Sequence, residues 1–320
     1  MTVPPLALDL SSLGGTQFWI GVGVLVGVYG IFTLGLQLNV GYTGIYNFAQ
    51  AGFQAVGAYA MGILVVKAHW SFWPALPVAT LIAMACGLLI GLPSLRLRAD
   101  YFAITTIAFG EIARYVVQNA RGLTGGNQGL LGFDSSWNTF SQNIQNDLGL
   151  GPDLYLVPLL IVSMILLVVL TIAMNRLQVT PWGRVLRGVR EDEDAVRALG
   201  KNPFVYKLQS LAIASALGAI SGYLLALDLA FLNPAEFLSQ FTFVGYSMLI
   251  LGGLASYPGV IIGAVLIEFL LEGTRSINLP LAADKIAALR FIIVGLVLIL
   301  LMAFRPQGIF GKRQEMVLGE

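Results

Sequence analysis

Three amide side chains in a glycine-rich segment are the first residues in this chain that could handle a polar solute. Asn47, Gln50 and Gln54 are three and four residues apart, a spacing that places them on one face of a helix. Amide groups make uncharged hydrogen bonds to a solute, and they also bond neighbouring helices to each other. The spacing therefore predicts either a polar path or a helix contact, and the residues alone favour neither. The glycines around them permit a broken helix, which is a recurrent feature beside cavities in transporters.

Ionisable residues inside apolar segments form a second set. Glu111 and Arg114 are three residues apart in a run that also carries Thr105 and Thr106, so the two charges can pair on one helix face. Glu268 lies in a later apolar run, and the sequence names no partner for it. Such residues are functional candidates because charges in apolar surroundings are costly. For Glu111 and Arg114 we favour a structural ion pair near a helix end.

A run of four acids at 191–194 begins the most charged segment of the chain. It predicts a short helix from Glu191 to Gly200, because acids suit the positive end of the helix dipole and glycine suits a helix stop. This helix is either a surface helix without a further role or a docking helix that fits a groove on a soluble partner. The residues concerned are Glu191, Asp192, Glu193, Asp194, Ala195, Val196, Arg197, Ala198, Leu199 and Gly200.

Familiar catalytic constellations are missing from the sequence. The chain has one cysteine, Cys86, and one histidine, His69, so it offers no internal disulfide, zinc site or histidine-based triad. The glycine-rich run 251–259 lacks the lysine of a phosphate-binding loop. We therefore expect no catalytic residue, no metal and no cofactor in this chain. An ATP-driven function would need a separate subunit.

Composition indicates the environment in which these residues must be placed. Of the 320 residues, 57% are hydrophobic and 11% are charged, whereas soluble domains carry about 45–50% apolar and about 25% charged residues. The net charge of +1 offers no attraction to nucleic acid. A soluble enzyme, a disordered chain and a nucleic-acid binder are disfavoured, and an all-α polytopic membrane protein is expected.

Long apolar runs predict the elements that cross the membrane, since a helix needs about 20 apolar residues to do so. We expect about nine spans; eight or ten are also compatible, because the second run contains a possible break. The predicted spans are 18–40, 44–66, 75–93, 101–118, 155–174, 206–230, 239–255, 258–273 and 288–304.

The distribution of Lys and Arg residues predicts which loops face the cytoplasm. The segment 176–207 holds seven of the 18 basic residues, and such loops are usually cytoplasmic. With nine spans, the N-terminus is then outside and the C-terminus is cytoplasmic. The predicted organisation is an external N-terminal segment 1–17, a transmembrane domain 18–304 with an external loop 119–153 and a cytoplasmic loop 175–207, and a cytoplasmic tail 305–320.

Several separated stretches, in matching order, resemble the permease subunits of branched-chain amino acid ABC importers of the LivM type. The resemblance covers about residues 39–311. The stretches are 96–104, 109–114, 123–126, 188–200, 251–259 and 304–308.

This resemblance implies a type II-like ABC importer in the bacterial cytoplasmic (inner) membrane. Its partners would be a second permease subunit of the H type, two cytoplasmic ATPase subunits that bind ATP and Mg, and an external solute-binding protein. Residues 194–200 resemble the E-A-A-x-x-x-G pattern of importer permeases, with Asp for Glu and Val for the second Ala. The docking helix would then be a coupling helix.

The resemblance also implies the cargo, a branched-chain or other neutral amino acid. Relatives with similar motifs carry urea or short amides, and the amide-containing stretch 46–52 departs from the usual family pattern. The predicted path residues are Asn47, Gln50, Gln54, Thr105 and Thr106. A stand-alone secondary carrier is the alternative from another class, in which Glu111, Arg114 and Glu268 would relay charge with a coupling ion.

Overall fold

A computed structural model describes residues 15–275 and 308–310, together with the single positions 288, 292, 293, 295, 296, 299 and 300. Within these residues every regular element is helical, apart from one isolated β-bridge between Leu130 and Leu232. The predicted all-helical class is therefore confirmed. The ends of the chain, to which the external segment 1–17 and the cytoplasmic tail 305–320 were assigned, lie mostly outside the described residues.

The α-helices within 15–275 are α1 (Thr16–Leu36), α2 (Gln50–Val66), α3 (Phe72–Ser94), α4 (Ala99–Asn119), α5 (Arg121–Thr124), α6 (Ser135–Asp147), α7 (Val157–Val179), α8 (Pro181–Glu191), α9 (Glu193–Ala198), α10 (Pro203–Leu229), α11 (Gln240–Gly252) and α12 (Tyr257–Arg275). A π-helical segment, Gln37–Thr43, continues α1, and short 3₁₀ turns occupy Gly126–Gln128, Pro152–Leu154 and Pro234–Phe237.

Five of the described helical segments are long and apolar enough to cross a membrane. They are Thr16–Thr43, Phe72–Ser94, Pro152–Val179, Pro203–Leu229 and Tyr257–Thr274. Helices α2 and α11 are apolar but shorter, with 17 and 13 residues. Helix α4 has 21 residues and carries the charged pair predicted from the sequence. The ninth predicted span, 288–304, lies mostly outside the described residues.

Helices α1 and α10 form the centre of the bundle. Inside the structure, 78% of the apolar stretch of α1 and 83% of that of α10 are buried, against 28% for both α3 and α7. Small residues allow this close packing. Gly27 of α1 lies against Ser163 of α7, and Gly87 of α3 lies against Ser215 of α10. Helices α3 and α7 thus cover the central pair and turn their other faces outward.

One end of the bundle, which we call the basic end, carries α8 and α9. There the Arg190 guanidinium donates to the Gly41 carbonyl at the close of the π-helical segment. The hydroxyls of Thr43 and Ser210 are 2.7 Å apart, which joins the end of the π-helical segment to the first turns of α10. The predicted loop 175–207 is therefore a packed pair of short helices against this end.

The opposite end, which we call the far end, is closed by the segment between α4 and α7. Leu130 and Leu232 form the β-bridge there, and it ties this segment to the chain that follows α10. The Trp73 ring of α3 contacts Phe140 of α6, with ring centroids 5.1 Å apart. The predicted external loop 119–153 accordingly contains α5, a 3₁₀ turn and the amphipathic helix α6.

Candidate functional site

The second predicted span, 44–66, is broken. Gly44 has φ +75°, a left-handed conformation that glycine adopts readily, and it ends the π-helical segment. Residues 44–49 are not helical, and α2 begins only at Gln50. The chain therefore turns at the basic end and re-enters the bundle as irregular backbone, which we call the broken segment (residues 44–49).

Helix α2 begins in the interior of the bundle. The Gln50 Nε2 donates to the carbonyl oxygens of Phe32 in α1, at 3.2 Å, and Ala214 in α10, at 3.1 Å. Ala214 lies about 16 Å along α10 from its first residue, at 1.5 Å per residue. The first turn of α2 is thus near the middle of the bundle, and the helix runs from there to the far end.

Helix α11 begins at the same level. The Ala51 N–H donates to Thr242 Oγ1 at 3.1 Å, and the Tyr246 hydroxyl donates to the Asn47 carbonyl at 2.9 Å. The Phe48 ring packs between these elements, 5.2 Å from the Phe243 ring centroid and 4.7 Å from that of Tyr246. Because α11 runs to the basic end, two short helices start together inside the bundle and proceed in opposite directions.

The predicted amide face exists, but its members differ in their bonding. Asn47 Nδ2 donates to Gln50 Oε1 at 3.3 Å, and Asn47 Oδ1 accepts from the Ala49 N–H. Asn47 and Gln50 therefore bond the broken segment, α1, α2 and α10 to one another. Gln54 is fully buried, yet neither its Oε1 nor its Nε2 has a hydrogen-bond partner within the described residues. Of the three amides on this face, Gln54 is the one whose oxygen and nitrogen both lack a partner among the described residues, so both could bond a solute.

The two neighbouring threonines of α4 point in different directions. Thr106 is buried, and its Oγ1 accepts from the Phe48 N–H at 3.0 Å, so it supports the broken segment directly. Thr105 is partly exposed and donates to the Tyr101 carbonyl of its own helix. Of the two, Thr106 is brought to the predicted path.

Glu111 and Arg114 form the ion pair expected from their spacing. The Arg114 Nη2 is 2.8 Å from Glu111 Oε2, and the Ser239 hydroxyl donates to the other carboxylate oxygen at 2.8 Å. Ser239 immediately precedes α11, so this pair also faces the region where α11 begins. Glu268 is placed apart, in α12, where it is 2% exposed and its Oε1 has no partner among the described residues.

Sequence reasoning missed several buried polar residues near the broken segment. Asn39 Oδ1 accepts from the Ser210 hydroxyl at 2.9 Å, and Asn39 Nδ2 has no partner in the described part of the chain. Thr242 was also missed. Only the pairing of distant segments reveals the role of each.

The acidic helix α9 begins two residues later than predicted. Asp192 is its N-cap, and the Oδ1 of that residue accepts from the N–H groups of Asp194 and Ala195. Glu191 instead ends α8. Gly200, with φ +73°, follows the end of α9, as the predicted helix stop requires.

Helix α9 is fixed to the bundle on one side and open on the other. Val196 is buried against Gly188 of α8, and the Glu193 carboxylate pairs with Lys207 of α10. Leu199 is 79% exposed, although it is a large apolar residue. The predicted apolar face is thus divided between an anchor, Val196, and an outward-facing Leu199.

These features together define a polytopic helical membrane protein of the transport class, since broken helices that meet beside buried polar groups are typical of transporters. The chain belongs to the family described as "Branched-chain amino acid transport system / permease component", which matches residues 19–302. It is a multi-pass protein of the cytoplasmic (inner) membrane and a permease component, hence a non-enzymatic transport subunit. The family resemblance found in the sequence is confirmed.

Similar proteins carry matching names. The chain is 35% identical over 312 residues to the "High-affinity branched-chain amino acid transport system permease protein LivM" of Escherichia coli (strain K12), a match that covers 91% of this chain and 69% of that protein. It is 26% identical over 327 residues to the "Probable branched-chain amino acid transport permease protein LivM" of Methanocaldococcus jannaschii, with 90% of this chain and 91% of the relative covered. No solved structure matches the chain.

Proposed function

We propose that this chain is the permease subunit of an ATP-driven importer that moves branched-chain or other neutral amino acids inward by alternating access. The observation that carries the proposal is the combination of the family match with the outward-facing helix α9. The named relatives belong to branched-chain amino acid transport systems, which supports this substrate class. Urea or a short amide is the alternative cargo, since both would bond to amide side chains such as Gln54.

Helix α9 is proposed to be the coupling helix on which an ATPase subunit acts. Leu199 presents an exposed apolar side chain of the kind that fills a groove on a partner. The Glu193–Lys207 pair joins α9 to α10, and Arg190 of α8 holds the Gly41 carbonyl. A displacement of α8 and α9 would therefore act on α10 and on the π-helical segment that leads into the broken segment. ATP and Mg would bind in two partner ATPase subunits, and this chain would hold no cofactor.

The orientation proposed for the bundle follows from its charges. The basic end holds the segment 176–207 with seven of the 18 basic residues, so we place it in the cytoplasm. The far end, with α5 and α6, would then face outward, where an external solute-binding protein delivers the solute. The N-terminus would be external and the C-terminus cytoplasmic, and a second permease subunit of the H type would complete the membrane part.

The solute path is proposed to pass by the broken segment. Gln54, whose buried amide is unpartnered among the described residues, is the side chain best suited to bond a neutral solute in transit. Asn47, Gln50 and Thr106 would hold the surrounding backbone in place, because their hydrogen bonds are directed to it.

A stand-alone secondary carrier is supported by fewer observations. Buried Glu268 would suit a proton or ion relay. However, the Glu111–Arg114 pair lies on α4, and no hydrogen bond or ion pair within the described residues joins it to Glu268 on α12. The proposed relay residues are therefore not brought together.

Purification of the chain from its native membrane tests the assembly and the cargo together. We expect a second permease and ATPase subunits to co-purify, and the assembly to take up radiolabelled leucine, isoleucine or valine in preference to urea. The proposal would be overturned if the chain purified without partner subunits and if its uptake were driven by an ion gradient and did not require ATP. Preference for urea would overturn only the cargo.

A further inference from the structure

A cleft at the basic end opens between the turn that joins α3 to α4 and the helices α9 and α10. It has two adjoining parts, of about 350 Å³ and about 200 Å³, whose walls share Leu95, Leu97, Arg98, Glu193 and Lys207. The larger part alone is within the range of about 300–1,000 Å³ that small-molecule sites occupy. We call it the α3–α4 cleft.

Basic side chains outnumber acidic ones in the walls of this cleft. The charged residues among the described residues that line it are Arg96, Arg98, Arg197, Lys207 and one acid, Glu193. Asp100, in the first turn of α4, is not among them. The walls therefore have an excess of positive charge.

The acid in the cleft is already used by two of the cations. The Glu193 carboxylate pairs with Lys207, and its Oε2 is 3.4 Å from Arg197 Nη2. Arg197 is also 2.6 Å from Asp194 Oδ1 on the outer side of α9. Lys207 and Arg197 are thus balanced by carboxylates of α9, and the excess charge belongs to the turn between α3 and α4.

Arg96 and Arg98, the two arginines of that turn, are exposed and have no carboxylate partner. The ion pairs among the described residues include neither of them. The Arg96 guanidinium lies over the Phe204 ring of α10, 5.7 Å from its centroid, a contact that orients the group and leaves its charge in place. Guanidinium groups form charge-assisted, often bidentate, hydrogen bonds to phosphate oxygens. The cleft therefore suits a phosphate anion.

The length of α3 places the cleft at the level of the lipid headgroups. Helix α3 has 23 residues, so it is about 35 Å long, whereas the hydrocarbon core is about 30 Å thick. Its last residue, Ser94, directly precedes Leu95 in the wall of the cleft. A phosphate in the cleft would therefore lie at the membrane surface.

Exposed apolar side chains lead from the cleft toward the membrane interior. On α4, Tyr101 is 61% exposed and Ile104 is 62% exposed, and they are three residues apart on one helix face. On α3, Leu89 and Leu92 are likewise exposed and three residues apart, just before the cleft. A ligand with a phosphate and long acyl chains could thus place the first in the cleft and the second along these faces.

We propose that the α3–α4 cleft binds a phosphate group, and that an anionic phospholipid supplies it. Arg96 and Arg98 would hold the phosphate, and the acyl chains would lie along the exposed face of α4. Basic pockets beside membrane-spanning helices bind anionic headgroups in this way. Because Arg197 of α9 lines the same cleft, the bound lipid would connect the beginning of α4 to α9.

Thermal unfolding of the purified full chain, with any subunits that accompany it, tests the site. The protein is placed in micelles that contain phosphatidylcholine, and phosphatidylglycerol is then added. We expect phosphatidylglycerol to raise the unfolding temperature by several degrees, because a ligand that binds the folded state stabilises it. Arg98→Gln should lose most of this rise, Arg98→Lys should retain part of it, and the double variant Arg96→Gln with Arg98→Gln should lose it all.

Arg176→Gln is the matched control, since Arg176 is an exposed arginine in the last turn of α7 that is not among the residues lining the cleft. It should keep the full rise. Each variant is compared with itself in phosphatidylcholine alone, so a change in its starting stability does not affect the result. An equal rise in Arg98→Gln and Arg176→Gln, or no rise in the unaltered protein, would overturn the inference.

A third addition distinguishes the source of the phosphate. Millimolar inorganic phosphate, added with phosphatidylcholine alone, should leave the unfolding temperature unchanged, because it brings no acyl chains to α4. A rise equal to that with phosphatidylglycerol, and lost in Arg98→Gln, would overturn the lipid as the ligand. Binding of a lipid requires only that the chain span the membrane, so this result is independent of whether ATPase subunits co-purify.

Discussion

The backbone N–H of Ala51 donates to Thr242 Oγ1 across 3.1 Å and joins the first turn of α2 to the first turn of α11. The first N–H groups of a helix have no partner within it, so each such bond satisfies an otherwise free donor. The two short helices run to opposite ends of the bundle from this point. The bond therefore links the two helices at the level of the predicted path.

Thr242→Val should remove this acceptor while it preserves the shape of the side chain. A buried donor left without a partner costs about 1–3 kcal/mol, so the unfolding temperature of the purified assembly should fall. Ser247→Ala is the control on the same helix, because among the described residues the Ser247 hydroxyl bonds only to the Phe243 carbonyl of its own helix. An equal fall for both variants would show that the Ala51–Thr242 contact has no special role.

Gln50→Leu and Gln54→Leu should have different effects. The first removes bonds to the carbonyls of Phe32 and Ala214, and it should lower both thermal stability and uptake. The second removes an amide without a described partner, so stability should be kept or increased while uptake falls. Unfolding midpoints and initial uptake rates, measured on the same preparations, distinguish the two. Normal uptake by Gln54→Leu would remove Gln54 from the solute path.

Gly57→Ala should force α2 away from α10, since the added Cβ would overlap the Cα of Ala219. Overpacking of this kind costs about 1–3 kcal/mol. Gly21→Ala in α1 is the control, because its Cβ would meet no atom within 4 Å. The unfolding temperature should fall for Gly57→Ala alone. A comparable loss in Gly21→Ala would point to a general effect of replacing glycine in these helices.

Leu199→Asp should weaken the contact between α9 and an ATPase subunit, because it puts a charge on the apolar side chain proposed to enter the groove. Asp194→Arg, which reverses an exposed charge on the same helix, should act in the same direction. ATP-driven uptake should fall strongly while the chain still inserts. Leu148→Asp is the control, since Leu148 is 57% exposed but follows α6 at the far end. Unchanged uptake in both α9 variants would exclude α9 as the coupling helix.

Local patterns predicted the features that depend on neighbouring residues. The spacing of Glu111 and Arg114 was enough for their ion pair, because residues three apart meet on any helix. The helix stop at Gly200 was likewise predictable from its residue type. The start of α9 was placed too early, since any of several acids could cap it and only the bond from Asp192 decides.

Features that depend on distant segments could not be predicted. Ala51 and Thr242 are 191 positions apart, and no local pattern connects them. Nothing in the sequence distinguished Thr105 from Thr106. Their roles differ because Thr106 accepts a hydrogen bond from the Phe48 N–H of a distant segment. The glycines of the span 44–66 allowed for a break, but they did not fix its place, which is the backbone turn at Gly44 and the non-helical residues 44–49.

Uptake into proteoliposomes that contain the complete assembly and its solute-binding protein tests the central claim most directly. Radiolabelled leucine accumulation is measured under two conditions. In the first, ATP is supplied on the side of the ATPase subunits; in the second, a proton or sodium gradient is imposed and ATP is absent. We predict uptake that requires ATP and is lost in Leu199→Asp. Gradient-driven uptake by this chain without ATP would contradict the account.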